Sequence, residues 1–420
     1  MQIYALVDCN HFYVSCERAF APYLQNQPVG ILSNNDGCLV ALSPELKNLG
    51  VTRGTPGFKI NEIVKNQKVY LFSSNYELYG DMSTRVMKIL ASMVNDIEIY
   101  SIDEAFLFID NISDKKIVYD LALEIKKKVY QFTSIPISIG LAKTKTLAKI
   151  ATNMAKKSFN GIFELLDENI EENLLKSTSI ENIWGIGRNY TKRLNKYGIF
   201  TGYDFIKASP YLIRKEMGIV GERSQLELKG TPCSDMTTLP PDTKSIICSR
   251  SFGKPVSSYE KLLETVSTYC STAVHNLREK GLVAKNLTLF ITTNPFKDTK
   301  QYANYINCSL PDYTAYTPEF LNLCAILLKK IFKENYQYKK SGIMLTDIIK
   351  QNVIQPNLFS LSYGDDKRHL VMRVMDKINN KFGTEKIYFA SNGVKKSWKM
   401  KREKTSKRFT TRWDELMTVK

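Results

Sequence analysis

Histidine is scarce in this chain, with 3 in 420 residues, and its 8 cysteines lie scattered with no Cys-x-x-Cys pair among them. Structural zinc centres draw on clustered Cys and His, and disulfide frameworks on regularly spaced cysteines, so neither is expected. Long apolar runs are missing as well: none approaches the ~20 residues that a membrane-spanning helix needs. The opening residues, MQIYALVDCN, carry no basic leader and no small-residue cleavage pattern, so no signal peptide is expected. A soluble, reducing, cytoplasmic setting is therefore expected. Acidic residues are the last shortage, 42 Asp and Glu against 59 Lys and Arg, which leaves a net charge of +17. A surplus of that size points to a polyanionic partner, most often nucleic acid and less often an anionic membrane.

Core material, by contrast, is ample. Apolar residues make up 43% and aromatic residues 11% of the chain, so disorder is not expected over most of its length. The length exceeds what one ordinary core serves, and roughly two to four domains are expected.

QIYALVD reads as a short apolar strand ending at Asp8, and PVGILSNNDGCLVALS as two strands around an Asn-Asp-Gly turn. Ser43 followed by Pro44 marks a helix start, a capping hydroxyl before a first-turn proline, with the helix stopping at Gly50. From Asn75 to about Val94, Leu78, Met82, Val86, Ile89 and Met93 recur at helical spacing. After the segment IEIYSIDEAFLFI come a helix, KKIVYDLALEIKKKVYQFT, a strand, IPISIGLA, and a helix, KTKTLAKIATNMAKK, with its lysines toward one end. This order suggests an α+β sheet domain interrupted by a smaller insertion near residues 16–74. Residues 166–232 read as short helices punctuated by WGIGRN and MGIVGER, and TPCSDMTTLPPDT as a linker. A second α+β unit follows: strand KSIICSRSFG, a helix from Tyr259 to Lys280, strand AKNLTLFITT, a helix from Pro318 to Tyr336 and strand SGIMLTDI. Leu262, Val266, Cys270, Ala273 and Leu277 form the buried stripe of the first of those helices.

Asp103 and Glu104 are the anomaly. They sit inside IEIYSIDEAFLFI, whose flanks read as strand buried on both faces, although unpaired carboxylates are rarely buried. In a regular strand they would point to opposite faces. A bend between two strands would let both reach one sheet edge, with Asp8 beside them. Three clustered carboxylates raise one another's pKa unless cations neutralise them, and hard oxygen ligands favour Mg²⁺. Two such ions are a standard arrangement for in-line nucleotidyl transfer. The bland alternative is a hairpin with a solvated acidic tip, and spacing alone leaves both open.

LVDCNHFYVSCE, SSNYELYGDMSTRVM, IYSIDEAFLFI, GLAKTKTLAKIATNMAKK and IWGIGRNYTKRL together resemble the Y-family, lesion-bypass DNA polymerases. IICSRSFGKP and KKSGIMLTD are closest to the UmuC branch. The resemblance spans essentially the whole chain. It implies a multidomain α+β fold of right-hand type: palm at 1–15 and 75–165, fingers at 16–74, a helical thumb at 166–236, a linker at 237–243, a little finger at 244–350 and a C-terminal clamp-binding and basic region at 351–420.

The same resemblance implies site residues. Asp8, Asp103 and Glu104 match the catalytic carboxylates that hold two Mg²⁺ ions, for which Mn²⁺ can substitute, and the carbonyl of Cys9 adds a ligand. Tyr13 matches the steric gate that excludes a ribose 2′-hydroxyl, with Phe12 beside it in the nucleotide site. Lys47 and Lys156 match triphosphate-binding positions, and Val40 and Ala41 the small ceiling over the nascent base pair. Pro44 departs from the pattern, since many relatives outside this branch carry a phosphate-binding tyrosine there, so one contact is missing or supplied elsewhere. Gly185, Gly187, Gly218 and Gly221 resemble paired helix-hairpin-helix turns whose amides cradle DNA phosphate, with Lys192 and Arg193 on the following helix. Lys244, Arg250 and Lys254 would contact phosphates from the little finger.

Gln355, Leu358 and Phe359 resemble the peptide by which polymerases dock on the sliding clamp, though an ordinary loop would look similar. From Lys395 to Arg412 one acid, Glu403, stands among many cations with Trp398 and Phe409 interleaved, either a solvated basic end or an interaction arm. The implied activity is error-prone, template-directed DNA synthesis across lesions in the SOS response, without a proofreading domain. Its implied partners are primer-template DNA, deoxynucleoside triphosphate, a processed UmuD-type dimer, the RecA filament and the clamp, near the nucleoid and away from membranes. The rivals are a self-sufficient DinB-type bypass polymerase, a non-catalytic scaffold bound to DNA and clamp, and a palm-domain nucleotide cyclase, which gives no reason for the thumb glycines.

Overall fold

The computed structural model describes residues 2–110, 114–234, 236, 242–354 and 366–416. The chain divides into two compact units: one of Met1–Ser33, Gly37–Pro240 and Lys404–Lys420, the other of Asn34–Asp36 and Pro241–Glu403. Among the described residues no helix is long and apolar enough to cross a membrane.

The first unit begins with β1 (Ile3–Cys9) and α1 (Phe12–Phe20), then β2 (Val29–Leu32), β3 (Leu39–Leu42), α2 (Pro44–Asn48), α3 (Asn61–Asn66) and β4 (Tyr70–Ser73). It continues with α4 (Tyr76–Ala91), β5 (Asp96–Ile99), β6 (Glu104–Ile109), α5 (Lys115–Thr133), β7 (Ile137–Ala142), α6 (Lys145–Ala155) and β8 (Ile162–Leu165). Helices α7 (Glu168–Ser177), α8 (Arg188–Asn195), α9 (Gly202–Lys207) and α10 (Pro210–Leu228) follow.

Its main sheet runs β5-β6-β1-β7-β8, with β1 antiparallel to both β6 and β7. Strand alternation divides β1 between two cores. Ile3, Ala5 and Val7 pack with residues of α1, α4 and α5, whereas Tyr4 and Leu6 pack with Phe106 and with Leu147, Ala148 and Ala151 of α6. The α6 core extends into the helical segment through Leu175, Ile183, Leu194, Phe205 and Ile213. Gly140 of β7 lets α6 come close, because a Cβ there would strike the backbone of Thr152. A smaller sheet, β3-β2-β4, closes over Leu32, Leu39, Leu42 and Leu46. Ser43 caps α2 as expected, accepting from the Leu46 amide at 3.3 Å.

The second unit contains β9 (Ile246–Val256), α11 (Tyr259–Glu279), β10 (Leu282–Thr293), β11 (Ala303–Thr314), α12 (Thr317–Ile331), β12 (Tyr338–Lys350) and α13 (Asp366–Phe382). Its antiparallel sheet, β11-β10-β12-β9, shares a core with α11 and α12. The expected stripe of Leu262, Val266, Cys270, Ala273 and Leu277 is buried there.

Four sequence expectations change. The segment 97–109 is not buried throughout: β5 is a sheet edge, and Ile99 and Tyr100 are exposed. The lysines of α6 form a stripe along the helix rather than a cluster at one end, each meeting an acid. The helix expected over Pro318 to Tyr336 ends at Ile331, where Phe332 turns extended. Strand β11 and helix α13 are not anticipated; β11 is largely exposed and carries an internal Pro311, although Ile306, Cys308 and Leu310 alternate with exposed Asn307 and Ser309 and pack against the core.

Candidate active site

Alternation along β1 decides where Asp8 points. It shares the parity of Tyr4 and Leu6, so its carboxylate lies on the α6 face, and the register of β1 against β6 pairs it with Glu104. Glu104 in turn shares the parity of Phe106 and Phe108, which also pack in the α6 core. Two carboxylates from strands that are distant in sequence therefore converge beside one helix. Asp103 precedes β6 in the bend; its carbonyl accepts from the Cys9 amide at 2.8 Å and its carboxylate from the Ser101 hydroxyl at 2.6 Å.

Helix α6 answers these acids with cations spaced by helical turns. Lys145 pairs with Glu98, Lys149 with Glu104, and Lys156, just past the helix end, with Asp8, each at 2.7 Å. Asp8 is 8% exposed. Burial pushes its carboxyl up to about 7, with Lys156 opposing and Glu104 adding to the rise. The Cys9 thiol is buried and pushed well up by the same burial and by the acids around it, which leaves it an inert side chain. Among the described residues no set of three His, Cys, Asp or Glu side chains converges closely enough to cage a metal ion. The donor set is nonetheless one of hard oxygens, and the Asp8 carboxylate, which Lys156 compensates only in part against its burial, suits a divalent cation.

Two residues after Cys9 the chain passes through left-handed His11 (φ 48°) into α1. Burial first, then the charges of Lys47, Lys156 and Arg18, lower the His11 pKa, with Glu45 opposing. Phe12 is buried, while the half-buried Tyr13 ring stacks on Tyr79 of α4 at 4.5 Å and 15°. Tyr76 meets Tyr13 edge-on at 6.2 Å. Burial raises the Tyr13 pKa, and Arg53 partly offsets the rise. Val40 and Ala41 are half-buried on β3, and the exposed Lys47 lies on α2.

The glycine turns differ from each other. Gly185 needs its left-handed φ of 87°, and Gly187 immediately precedes α8, which carries exposed Lys192. Trp184 of this turn donates to the Tyr100 hydroxyl at 3.2 Å, and its ring, with those of Tyr100 and Phe106, surrounds the Lys149 ammonium. Gly218 kinks α10 at φ 71°, ψ −165°, and Gly221 is buried where a Cβ would strike Met217. Arg250 is exposed on β9, an edge strand, and Lys244 and Lys254 are exposed near it in sequence. Gln355, Leu358 and Phe359 lie outside the described residues.

Sequence reasoning missed Lys149, Arg53, Glu17 and Tyr79. Lys149 was findable, since Lys145, Lys149 and Lys156 share a helix face at spacings of four and seven. The others reach the site only through tertiary packing.

Residues 7–153 match the impB/mucB/samB family and residues 243–358 its C-terminal domain, while residues 369–419 match a domain of unknown function, DUF4113. Protein UmuC of Salmonella typhimurium is 40% identical over 422 residues, covering the whole of both chains. DNA polymerase IV of Oceanobacillus iheyensis is 27% identical over 92% of this chain and 91% of its own. In fold, the chain resembles a solved Y-family DNA polymerase chimera of Dbh and Dpo4, with a TM-score of 0.68 at 21% identity, covering 83% of this chain and 99% of the chimera. With full-length identity of this order to UmuC, the chain belongs to the impB/mucB/samB family, within the UmuC branch of the Y-family lesion-bypass DNA polymerases.

Proposed function

We propose that this polymerase serves the SOS response to DNA damage, extending primers past damaged template bases with low fidelity by two-metal nucleotidyl transfer. The observation that carries the reading is the pairing of Asp8 with Glu104 on the α6 face, with Asp103 in the adjoining bend. Asp8, Asp103, Glu104 and the carbonyl of Cys9 are the groups that would hold two Mg²⁺ ions, or Mn²⁺ in their place. Bound there, the ions would supply Lewis acidity toward the primer hydroxyl and the phosphates.

The chain's own residues do the rest. Lys47 and Lys156 bind the triphosphate as compact charges. Arg53, whose charge is felt at Tyr13, is our candidate for the contact that Pro44 cannot make. Tyr13, with Phe12 behind it, lies under the deoxyribose and excludes a 2′-hydroxyl, and Val40 with Ala41 forms a low ceiling that tolerates altered bases. The amides at Gly185, Gly187, Gly218 and Gly221, with Lys192, hold DNA phosphates without reading sequence, and Arg250 does so from β9. We assign the palm to 1–15 and 75–165, the fingers to 16–74, the thumb to 166–236, the linker to 237–243, the little finger to 244–350 and the C-terminal region to 351–420. A processed UmuD-type dimer, the RecA filament and the sliding clamp are the proposed protein partners, in the cytoplasm at the nucleoid.

Primer extension past an abasic site, with the dimer and the filament added separately, tests the reading. The wild-type protein should extend the primer when both are present, and Asp103→Ala should lose activity by on the order of a thousandfold or more. Equal incorporation by both proteins overturns the catalytic assignment. Extension that needs neither accessory protein favours a DinB-type enzyme instead.

A further inference from the structure

The basic segment from Lys404 to Phe409 is not a free arm. Residues Lys404 to Arg408 belong to the first unit and run past the end of β4 and the start of α4. The Ser73 amide donates to the Lys404 carbonyl at 2.9 Å, and the Lys404 amide returns a bond to the Ser73 hydroxyl at 3.0 Å. Asn75, which caps α4 by accepting from the Leu78 amide, donates its own side-chain amide to the Ser406 carbonyl, the Ser406 hydroxyl and the Lys407 carbonyl at 3.2, 3.0 and 3.3 Å. Phe409 stacks on Phe20 at the far end of α1, 4.9 Å and 11° apart, and Arg408 pairs with Glu77.

One contact of this strap enters the interior. Ser406 donates its hydroxyl to Glu17 Oε1 at 2.9 Å, and the same oxygen accepts from the Tyr79 hydroxyl at 2.7 Å. Glu17 is 2% exposed and Tyr79 fully buried. A buried carboxylate is held only as well as its hydrogen bonds satisfy it, so Ser406 helps to fix Glu17, and Glu17 fixes the phenol end of Tyr79. The opposite end of the relay is the face of Tyr79, on which Tyr13 is stacked.

We infer that the C-terminal strap, through Ser406 and Glu17, positions the Tyr79–Tyr13 stack and thereby sets how strictly the polymerase excludes ribonucleotides. The inference rests on Tyr13 being the steric gate. A gate works by steep short-range repulsion, so a ring free to yield by a fraction of an ångström admits an extra hydroxyl. Ser406, Glu17 and Tyr79 are positioning residues in this scheme and do not touch the nucleotide.

The test is single-nucleotide insertion by the full-length protein, with whatever accessory subunits primer extension requires, using one deoxynucleoside triphosphate and its ribonucleoside counterpart. Ser406→Ala should shift the ratio of kcat/KM values toward the ribonucleotide by about fivefold, the effect of losing one modest hydrogen bond. Ser406→Thr, which keeps the hydroxyl, should restore it. Tyr79→Phe breaks the relay at its other end and should relax the ratio in the same direction, which keeps the test open should Ser406→Ala fold poorly. Tyr13→Ala separates the two readings. If it relaxes sugar selection while Ser406→Ala and Tyr79→Phe leave the ratio unchanged, or depress both sugars equally, the strap is merely structural and the inference fails. If Tyr13→Ala leaves the ratio unchanged, the gate assignment itself is wrong and the inference falls with it.

Discussion

Lys156 stands between two tasks. It pairs with Asp8 at 2.7 Å, yet it also acts on His11 together with Lys47, on the side proposed for the triphosphate. Its side chain keeps 40% of its exposure, so the ammonium is available to an incoming anion. Lys156→Met should therefore raise the KM for deoxynucleotide by about tenfold, the loss of one charge-assisted contact, with a smaller effect on kcat. Steady-state insertion kinetics measure the split, and an unchanged KM would remove Lys156 from the nucleotide site. Asp8 was legible as the end of a strand and Asp103 with Glu104 as an anomaly within one. Lys156 was singled out only through the family resemblance, as a triphosphate position, and the spacing of Lys149 was legible, but which carboxylate each lysine meets was not, because pairing between elements leaves no local pattern.

At the level of elements, packing is decided by a few polar joints. Thr144 donates its hydroxyl to the Glu227 carbonyl at 2.8 Å, and the Thr146 amide donates to the Glu227 carboxylate at 3.0 Å, which ties the start of α6 to the end of α10. In the second unit α13 is held to α11 by Asp376, which accepts from Arg278 Nε at 2.7 Å and lies 2.9 Å from His275 Nδ1. The hydrogen bond to Asp376 holds the His275 pKa above its usual value against the opposing burial, with Glu279 adding to the rise and Arg278 reducing it. A raised folded-state pKa means that the stabilisation is fully present below the ordinary histidine value and is lost as pH rises through the folded one. Thermal unfolding should show α13 held more firmly at pH 5.5 than at pH 8.5, and His275→Gln should flatten that difference; an unchanged slope removes His275 from the joint. The long helices were legible from their apolar periodicity. Helix α13 was not read, although Val371, Met375, Ile378 and Phe382 recur at helical spacing; its charged joint to α11 through Asp376 leaves no local pattern.

Across the whole molecule the excess of positive charge governs binding strength. Each phosphate neutralised by Lys or Arg releases counterions, so log affinity falls linearly with log salt at a slope of about −0.9 per contact. If the basic residues of both units serve the backbone, affinity for primer-template DNA should drop by roughly 10³ to 10⁵ between 50 and 200 mM salt, in a fluorescence-anisotropy titration. Lys192→Ala should reduce the slope by about one unit without changing preference among sequences. A salt-independent affinity would contradict the backbone reading. The net charge, the long apolar-striped helices α4 and α11, and the strand that carries Asp8 were determined by the sequence alone, since they depend on composition and on local periodicity. Which cations meet which carboxylates, and that Ser406 reaches Glu17 across 389 residues of chain, were decided only by tertiary structure. Such contacts leave no local pattern: they arise when sheet register and helix phase bring together side chains whose sequence neighbours carry no trace of the pairing.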